Sequence, residues 1–231
     1  MRIGLIVAMS KEFEQLKQIL TERQEVNNSV FRYIKGKIGN SEIILQQCGI
    51  GKVNAAMGTE NMITMFSPDI IISSGVAAGA AKNVKPMDIV VSAELAYHDV
   101  FCGEDNFFGQ IQGLPARYIV AENILALSNS LHYGNTIHKG LILSGDWFVT
   151  SKEKIREILS HFSDAKAVDM ESCAIAQVCF IRKIPFCSFR IISDNPLEEN
   201  QIEQYHNFWE TMADSSFSVT KDFLNLLIQG I

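Results

Sequence analysis

The 231-residue chain lacks several features that would place it in whole classes of protein. No apolar run approaches the roughly 20 residues that a membrane-spanning helix needs. The longest, such as residues 43–50 and 89–96, fall far short. Cations are outnumbered, 20 Lys and Arg against 26 Asp and Glu. The resulting net charge of −6 argues against a nucleic-acid partner, whose phosphate backbone is held by clustered Lys and Arg. No stretch rich in Pro, Gly or Ser divides the chain, so one domain over residues 1–231 is expected. Five cysteines (Cys48, Cys102, Cys173, Cys179, Cys187) are an odd number without CxxC spacing. They read as reduced, mostly buried thiols, not as a disulfide framework or zinc site. Five scattered histidines show no HxxxH or HxH spacing, so neither a metal nor a cofactor is expected. The start, MRIGLIVAMSKE, meets Lys11 and Glu12 too early for a secretory signal, and a cytoplasmic location is expected.

Catalytic signatures of the common kinds are missing too. There is no GxSxG elbow, because Ser144 lies in LSGD and Ser74 in SSGV. A cysteine nucleophile would need a positioned histidine, and small buried core residues are the simpler reading of all five thiols. CGIGKVNA has Asn54 at the third fingerprint glycine, and Val53 after Lys52 excludes a Walker loop. SGVAAGAA likewise fails GxGxxG.

What is present is an alternation of strand-like and helix-like segments. Strands are expected over residues 2–8, 30–34, 43–47, 69–74, 88–94, 139–144, 166–169 and 185–193. Helices are expected over 10–23, 51–66, 152–161, 171–181 and 208–228. In the first helix, Phe13, Leu16, Ile19 and Leu20 share a face. Nearly continuous apolar strands such as IIISS (70–74) are those of a sheet covered on both sides. The fold class is therefore α/β, a three-layer α/β/α sandwich with a mixed, mainly parallel central sheet.

Ligands of such sheets bind outside the carboxyl ends of the strands. Several strand ends carry acids or glycines there. Glu12 follows the first strand, Glu171 the strand at 166–169, and Asp194 the strand at 185–193; Gly49-Ile50-Gly51 and Gly75-Val76-Ala77 are glycine turns. Either glycine segment alone could simply tighten a strand-to-helix turn. Glu12 alone could complement a helix dipole, and Asp194 could be a turn residue before Pro196. Glu171 is harder to assign to a solvated face, because Met170 and residues 173–175 make its surroundings apolar. Asp169 is expected to face the other side of its strand. Three acids around one dry cleft suit cleavage of a glycosidic bond, with one acid protonating the leaving group and another activating water.

The segments AMSKEFE (8–14), CGIGKVNAA (48–56), SGVAAGA (74–80), SGDWFVTSKEK (144–154), AVDMESCAIAQVC (167–179) and FRIISDN (189–195) occur in this order. Together they resemble the 5′-methylthioadenosine/S-adenosylhomocysteine nucleosidases of the nucleoside phosphorylase/hydrolase superfamily, over nearly the whole chain. The resemblance implies a nucleoside phosphorylase-like fold and hydrolysis of the N-glycosidic bond of a 5′-substituted adenosine. It implies Glu12 as the base for water and Asp194 as the acid that protonates adenine N7. Glu171 would grip the ribose hydroxyls with Met170 against the sugar. Phe148 would stack on adenine and the Val149 backbone would read its edge. Met9, Ile50 and Val76 would line the ribose and 5′ region, Ser193 and Arg190 would support Asp194, and Tyr205 stands where relatives place a Phe. Related phosphorylases bind phosphate through arginines and a serine near the glycine turns. Here Ala8-Met9-Ser10-Lys11 and Val76 occupy those places, so water is the expected nucleophile. Purine nucleoside phosphorolysis and nucleoside binding without turnover are the alternatives.

Two segments depart from the family pattern, residues 96–115 and 195–209, and VDME replaces the more usual VEME. In relatives the first segment crosses a homodimer interface and caps the partner's 5′ pocket. A homodimer is therefore expected, with residues from about 97–110 completing the neighbouring site and Val100, Phe101 and Phe107 as candidates.

Overall fold

A computed structural model of the protein describes residues 1–26, 30–212 and 217–230. Among these residues, ten strands form one mixed sheet: β1 (Arg2–Val7), β2 (Thr21–Val26), β3 (Arg32–Ile38), β4 (Ser41–Gln47), β5 (Ile70–Gly79), β6 (Ile89–Tyr97), β7 (Tyr118–Ile119), β8 (Ile137–Ser144), β9 (Ala165–Asp169) and β10 (Phe186–Asp194). The helices are α1 (Ser10–Gln18), α2 (Lys52–Phe66), α3 (Glu122–Leu127), α4 (Lys152–His161), α5 (Ser172–Arg182), α6 (Gln201–Asn207) and α7 (Ser218–Gly230). α6 runs on into a π-helical turn, Phe208–Met212. This is the expected α/β sandwich, and its longest registers are parallel, β5 with β10 and β6 with β8.

The sheet has two parts with different closure. β5 pairs with β10, β10 with β6, β6 with β8, β8 with β9, and β9 returns to β5. That circuit is a closed ring. β1, β4, β3 and β2 extend from β5 as an open wing that ends on β2. Apolar runs explain both. Ile70–Ile72 and Ile89–Val91 in the ring and Ile43–Leu45 in the wing have no polar face to turn outwards, and all of these side chains are buried. Four of the cysteines are buried and Cys102 is exposed. Among the described residues, no helix is long and apolar enough to cross a membrane.

Several boundaries differ from the sequence expectation. The helix expected over residues 10–23 stops at Gln18, and Thr21–Val26 becomes a strand paired with β3. The apolar helical spacing ends at Leu20, and Glu22 sits at φ +49°, outside the right-handed helical region. The strand expected at 30–34 begins at Arg32 and runs to Ile38. β7, α3 and α6 were not expected. The last helix, expected over 208–228, is the π turn followed by α7, and residues 213–216 of that span lie outside the described residues.

Candidate active site

The β1–α1 turn brings Glu12 back over the end of its own strand. The carboxylate is buried and accepts from three backbone donors: Oε2 takes the Ala8 and Met9 N–H groups at 3.1 and 2.9 Å, and Oε1 takes the Val76 N–H at 3.0 Å. β5 must come very close for the last bond. A Cβ at position 75 would lie 2.5 Å from Glu12 Oε1 and 2.7 Å from an Arg190 guanidinium nitrogen, so Gly75 is a requirement of the approach. Burial raises the Glu12 pKa above the ordinary carboxylate value. The Met9 N–H, the Arg190 charge and the other two amides oppose it.

Beneath this acid runs a buried polar network. Arg190 of β10 donates from Nε to Asp169 Oδ2 at 2.7 Å and from Nη2 to Ser73 and Ser172, both at 2.8 Å. Burial disfavours its charge, but Asp169, Glu171 and Glu12 outweigh that and keep it cationic. Asp169 Oδ1 accepts from Ser144 Oγ at 2.5 Å and from the Glu171 and Ser172 N–H groups at 3.2 and 3.1 Å. Asp169 borders the cavity and does not face the other side of its strand as expected, yet protein donors occupy both its oxygens, and it anchors the start of α5. Glu171 Oε1 takes the Gly51 N–H at 2.9 Å, while the next amide, Lys52 N–H, goes to Asp146 at 2.8 Å. Gly51 has φ +95°, which favours glycine, so the CGIGK turn serves to present one amide to Glu171. The pKa of Glu171 is pushed up to about 8, by burial first and then by the Asp169 charge. One guanidinium faces three carboxylates, so the Arg190 charge offsets only part of their mutual repulsion.

On the other side, Asp194 ends β10. Ser193 Oγ donates to its Oδ1, and Gln201 Nε2 donates to its Oδ2 at 2.6 Å. Burial raises its pKa, and these two donors partly offset the rise. The following turn is fixed by buried Asn195, whose Nδ2 donates to the Ala81 and Val84 carbonyls at 3.0 and 2.8 Å. Leu197 N–H returns to Asn195 Oδ1 at 3.0 Å, which sets the chain up for α6.

These elements enclose a cavity of about 380 Å³. Glu12, Glu171 and Asp194 all border it, distant though they are in sequence. Met9, Ile50 and Val76 line the side of the strand ends, with Met170 beside Glu171 and Ser193 beside Asp194. Phe148, Val149 and Tyr205 form a further wall, with the Phe148 and Tyr205 rings edge to face at 5.4 Å between centroids. Arg190 is placed differently from the expectation. It does not line the cavity, and its hydrogen bonds go to Asp169, Ser172 and Ser73, not to Asp194. Residues not singled out from the sequence include Trp147, which is half exposed at the cavity, and Gln201, which bonds Asp194. No residue of 97–110 lines this cavity, and Phe101 and Phe107 of that stretch are 64% and 75% exposed.

An acid-lined cavity at the strand ends of a partly closed mixed sheet defines the class. The phosphorylase superfamily model matches residues 2–225. A 5′-methylthioadenosine/S-adenosylhomocysteine nucleosidase of Exiguobacterium sp. is 36% identical over 220 residues, 94% of each chain. Solved structures agree. The nucleosidase of the same name from Streptococcus pneumoniae, with the transition-state inhibitor MT-ImmA, aligns at a TM-score of 0.91 and 32% identity over 98% of this chain and 100% of that one. That of Colwellia psychrerythraea, in complex with adenine, aligns at 0.90 and 32% over 98% and 96%. The chain belongs to the 5′-methylthioadenosine/S-adenosylhomocysteine nucleosidase family.

Proposed function

We infer that this enzyme hydrolyses the bond between N9 of adenine and C1′ of a 5′-substituted ribose, and that Glu12, Glu171 and Asp194 carry the reaction. Their convergence on one cavity is the observation that supports it most. Burial raises the pKa of Asp194, which favours its protonated form and suits it to deliver a proton to N7, so that adenine leaves as a neutral base. As the C1′–N9 bond lengthens, positive charge grows on the ribose ring, and the carboxylate-rich floor stabilises it. Water attacks C1′ and gives its proton to Glu12, whose raised pKa makes it the stronger base. Glu171 keeps one oxygen on Gly51 N–H and offers the other to the ribose hydroxyls, which are donors.

Water is favoured over phosphate on electrostatic grounds. An anion at this floor would meet Glu12, Asp169 and Glu171, while the buried cation Arg190 already bonds Asp169, Ser73 and Ser172. Substrates recognised through adenine and ribose include methylthioadenosine, S-adenosylhomocysteine, 5′-deoxyadenosine and 6-amino-6-deoxyfutalosine. The decisive experiment is adenine release from a panel of such nucleosides with and without phosphate. Release independent of phosphate, giving the free 5′-substituted ribose, is expected; a phosphate requirement with a ribose 1-phosphate product would make the protein a phosphorylase.

A homodimer and a cytoplasmic location complete the reading. Val53 and Met57 of α2, Phe180 and Ile181 of α5, and Phe101 and Phe107 are large, apolar and exposed. α2 and α5 pack together, so their exposed side chains can form one adhesive face. Light scattering at working concentration tests this, and a monomer would overturn it.

A further inference from the structure

Gln201 is an inverted residue. It opens α6 with its amide side chain 4% exposed, while the next residue, Ile202, is apolar and 58% exposed. A polar side chain turned inwards beside an apolar one turned outwards needs a polar reason. Only half of one is visible. Nε2 donates to Asp194 Oδ2 at 2.6 Å, but Oε1 is buried without a hydrogen-bond partner among the described residues. Leaving a buried carbonyl unmatched costs on the order of 1–3 kcal/mol. Packing alone would be better served by an apolar side chain.

The two partners of Asp194 differ in what they can accept. Ser193 Oγ reaches Asp194 Oδ1 and also lies 3.4 Å from the Ala77 carbonyl. Its hydroxyl can therefore donate to Oδ1, or turn its hydrogen to Ala77 and accept a proton borne by Oδ1. The Gln201 amide nitrogen can only donate. We propose that Gln201 is a positioning residue for the general acid: its N–H fixes Asp194 Oδ2 as the acceptor oxygen and so lodges the transferable proton on Oδ1. With the Ser193 hydroxyl donating to Oδ1, the proton on that oxygen is left for the ring nitrogen, and Oδ2 remains an acceptor. The other titratable groups near Asp194 are Tyr205 of α6, Glu12 of α1 and, around the same cavity, Glu171; Arg190 of the same strand is bonded to Asp169.

This rests on the reading of Asp194 as the acid that protonates the base, and the test separates the two. Gln201→Met and Gln201→Glu are compared with Asp194→Asn in the full-length enzyme. Each is assayed for thermal midpoint, kcat and KM on 5′-methylthioadenosine, the pH profile of kcat, and hydrolysis of 4-nitrophenyl riboside, whose leaving group departs without protonation. Gln201→Met should lower kcat by about 10- to 100-fold with KM within about threefold, since general acid help is worth about 10²–10⁴-fold in full. Losing the N–H donor weakens the charged form of Asp194, and a second carboxyl in Gln201→Glu does the same by shared protonation. In both variants the alkaline limb of the profile therefore moves to higher pH. The thermal midpoint of Gln201→Met should be unchanged or higher, and the nitrophenyl substrate should be spared. Unaltered kcat and limb in both variants would overturn the inference, as would a loss shared equally by both substrates together with a lowered midpoint. If Asp194→Asn itself kept full activity, the underlying reading would fall instead.

Discussion

The two acids assigned to proton transfer are mounted in contrasting ways. Glu12 is held by three backbone N–H groups, two from the β1–α1 turn and one from β5, and Gly75 leaves room for it. Asp194 is held by two side chains, one of them from α6, in a segment that departs from the family pattern. Backbone donors cannot be exchanged by substitution, whereas side-chain donors can. The base side of the cavity is thus determined by the fold, and the acid side is adjustable.

The largest effect is expected at the adjustable mount. Asp194→Asn removes the proton, and turnover should fall by about 10³-fold or more while ligand binding, followed by calorimetry, stays within about tenfold. Adenine release near the wild-type rate would break the comparison at once. Glu12→Gln should cost about 10²-fold or more in rate, read as slower attack by water and by added methanol. It should also cost stability, because an amide placed among three N–H donors must turn its own N–H₂ towards one of them. A penalty of about 1–3 kcal/mol in denaturant unfolding, larger than that of Asp194→Asn, would sharpen the contrast. Equal stabilities would remove it.

Gly75→Ala tests the mount without touching the carboxylate. The added methyl meets Glu12 Oε1 and Arg190, so a tenfold or greater loss of kcat and roughly 1–3 kcal/mol of destabilisation are expected. A silent variant would mean that the strand end yields. The smallest effect concerns pH. Glu171 has a folded pKa of about 8 against 4.5 when unfolded, so its protonated form favours the fold. That contribution is complete below pH 4.5 and is lost as pH rises through 8. The ligand-free enzyme should lose stability over that window, and Glu171→Gln should flatten the curve by about 1–3 kcal/mol. A parallel curve for the variant would assign the slope to other groups.

Much of this was legible in the residues. Continuous apolar runs define buried strands, and acids or glycines directly after them fall at the ligand-binding ends. What escaped has physical causes. β2 (TERQEV) is polar on both faces and so has no period-two signal. α6 is short and polar, so no apolar stripe announces it or Gln201. Arg190 and Asp194 are four residues apart, and strict alternation would place them on one face. The pairing of β10 with β5 is irregular between Ile192 and Asp194, and this breaks the alternation. Asp194 reaches the cavity while Arg190 stays beneath it.

Ring closure and wing extension leave β2 as the free end of the main strand path. A strand with unpaired amides is a template on which a foreign strand can dock, and fibres can grow from it. Here that template is guarded by Glu22, Arg23 and Glu25, all exposed, so an approaching chain meets charge before it meets hydrogen bonds. Neutral, β-branched replacements at these positions would leave catalysis alone and make the enzyme sticky on storage.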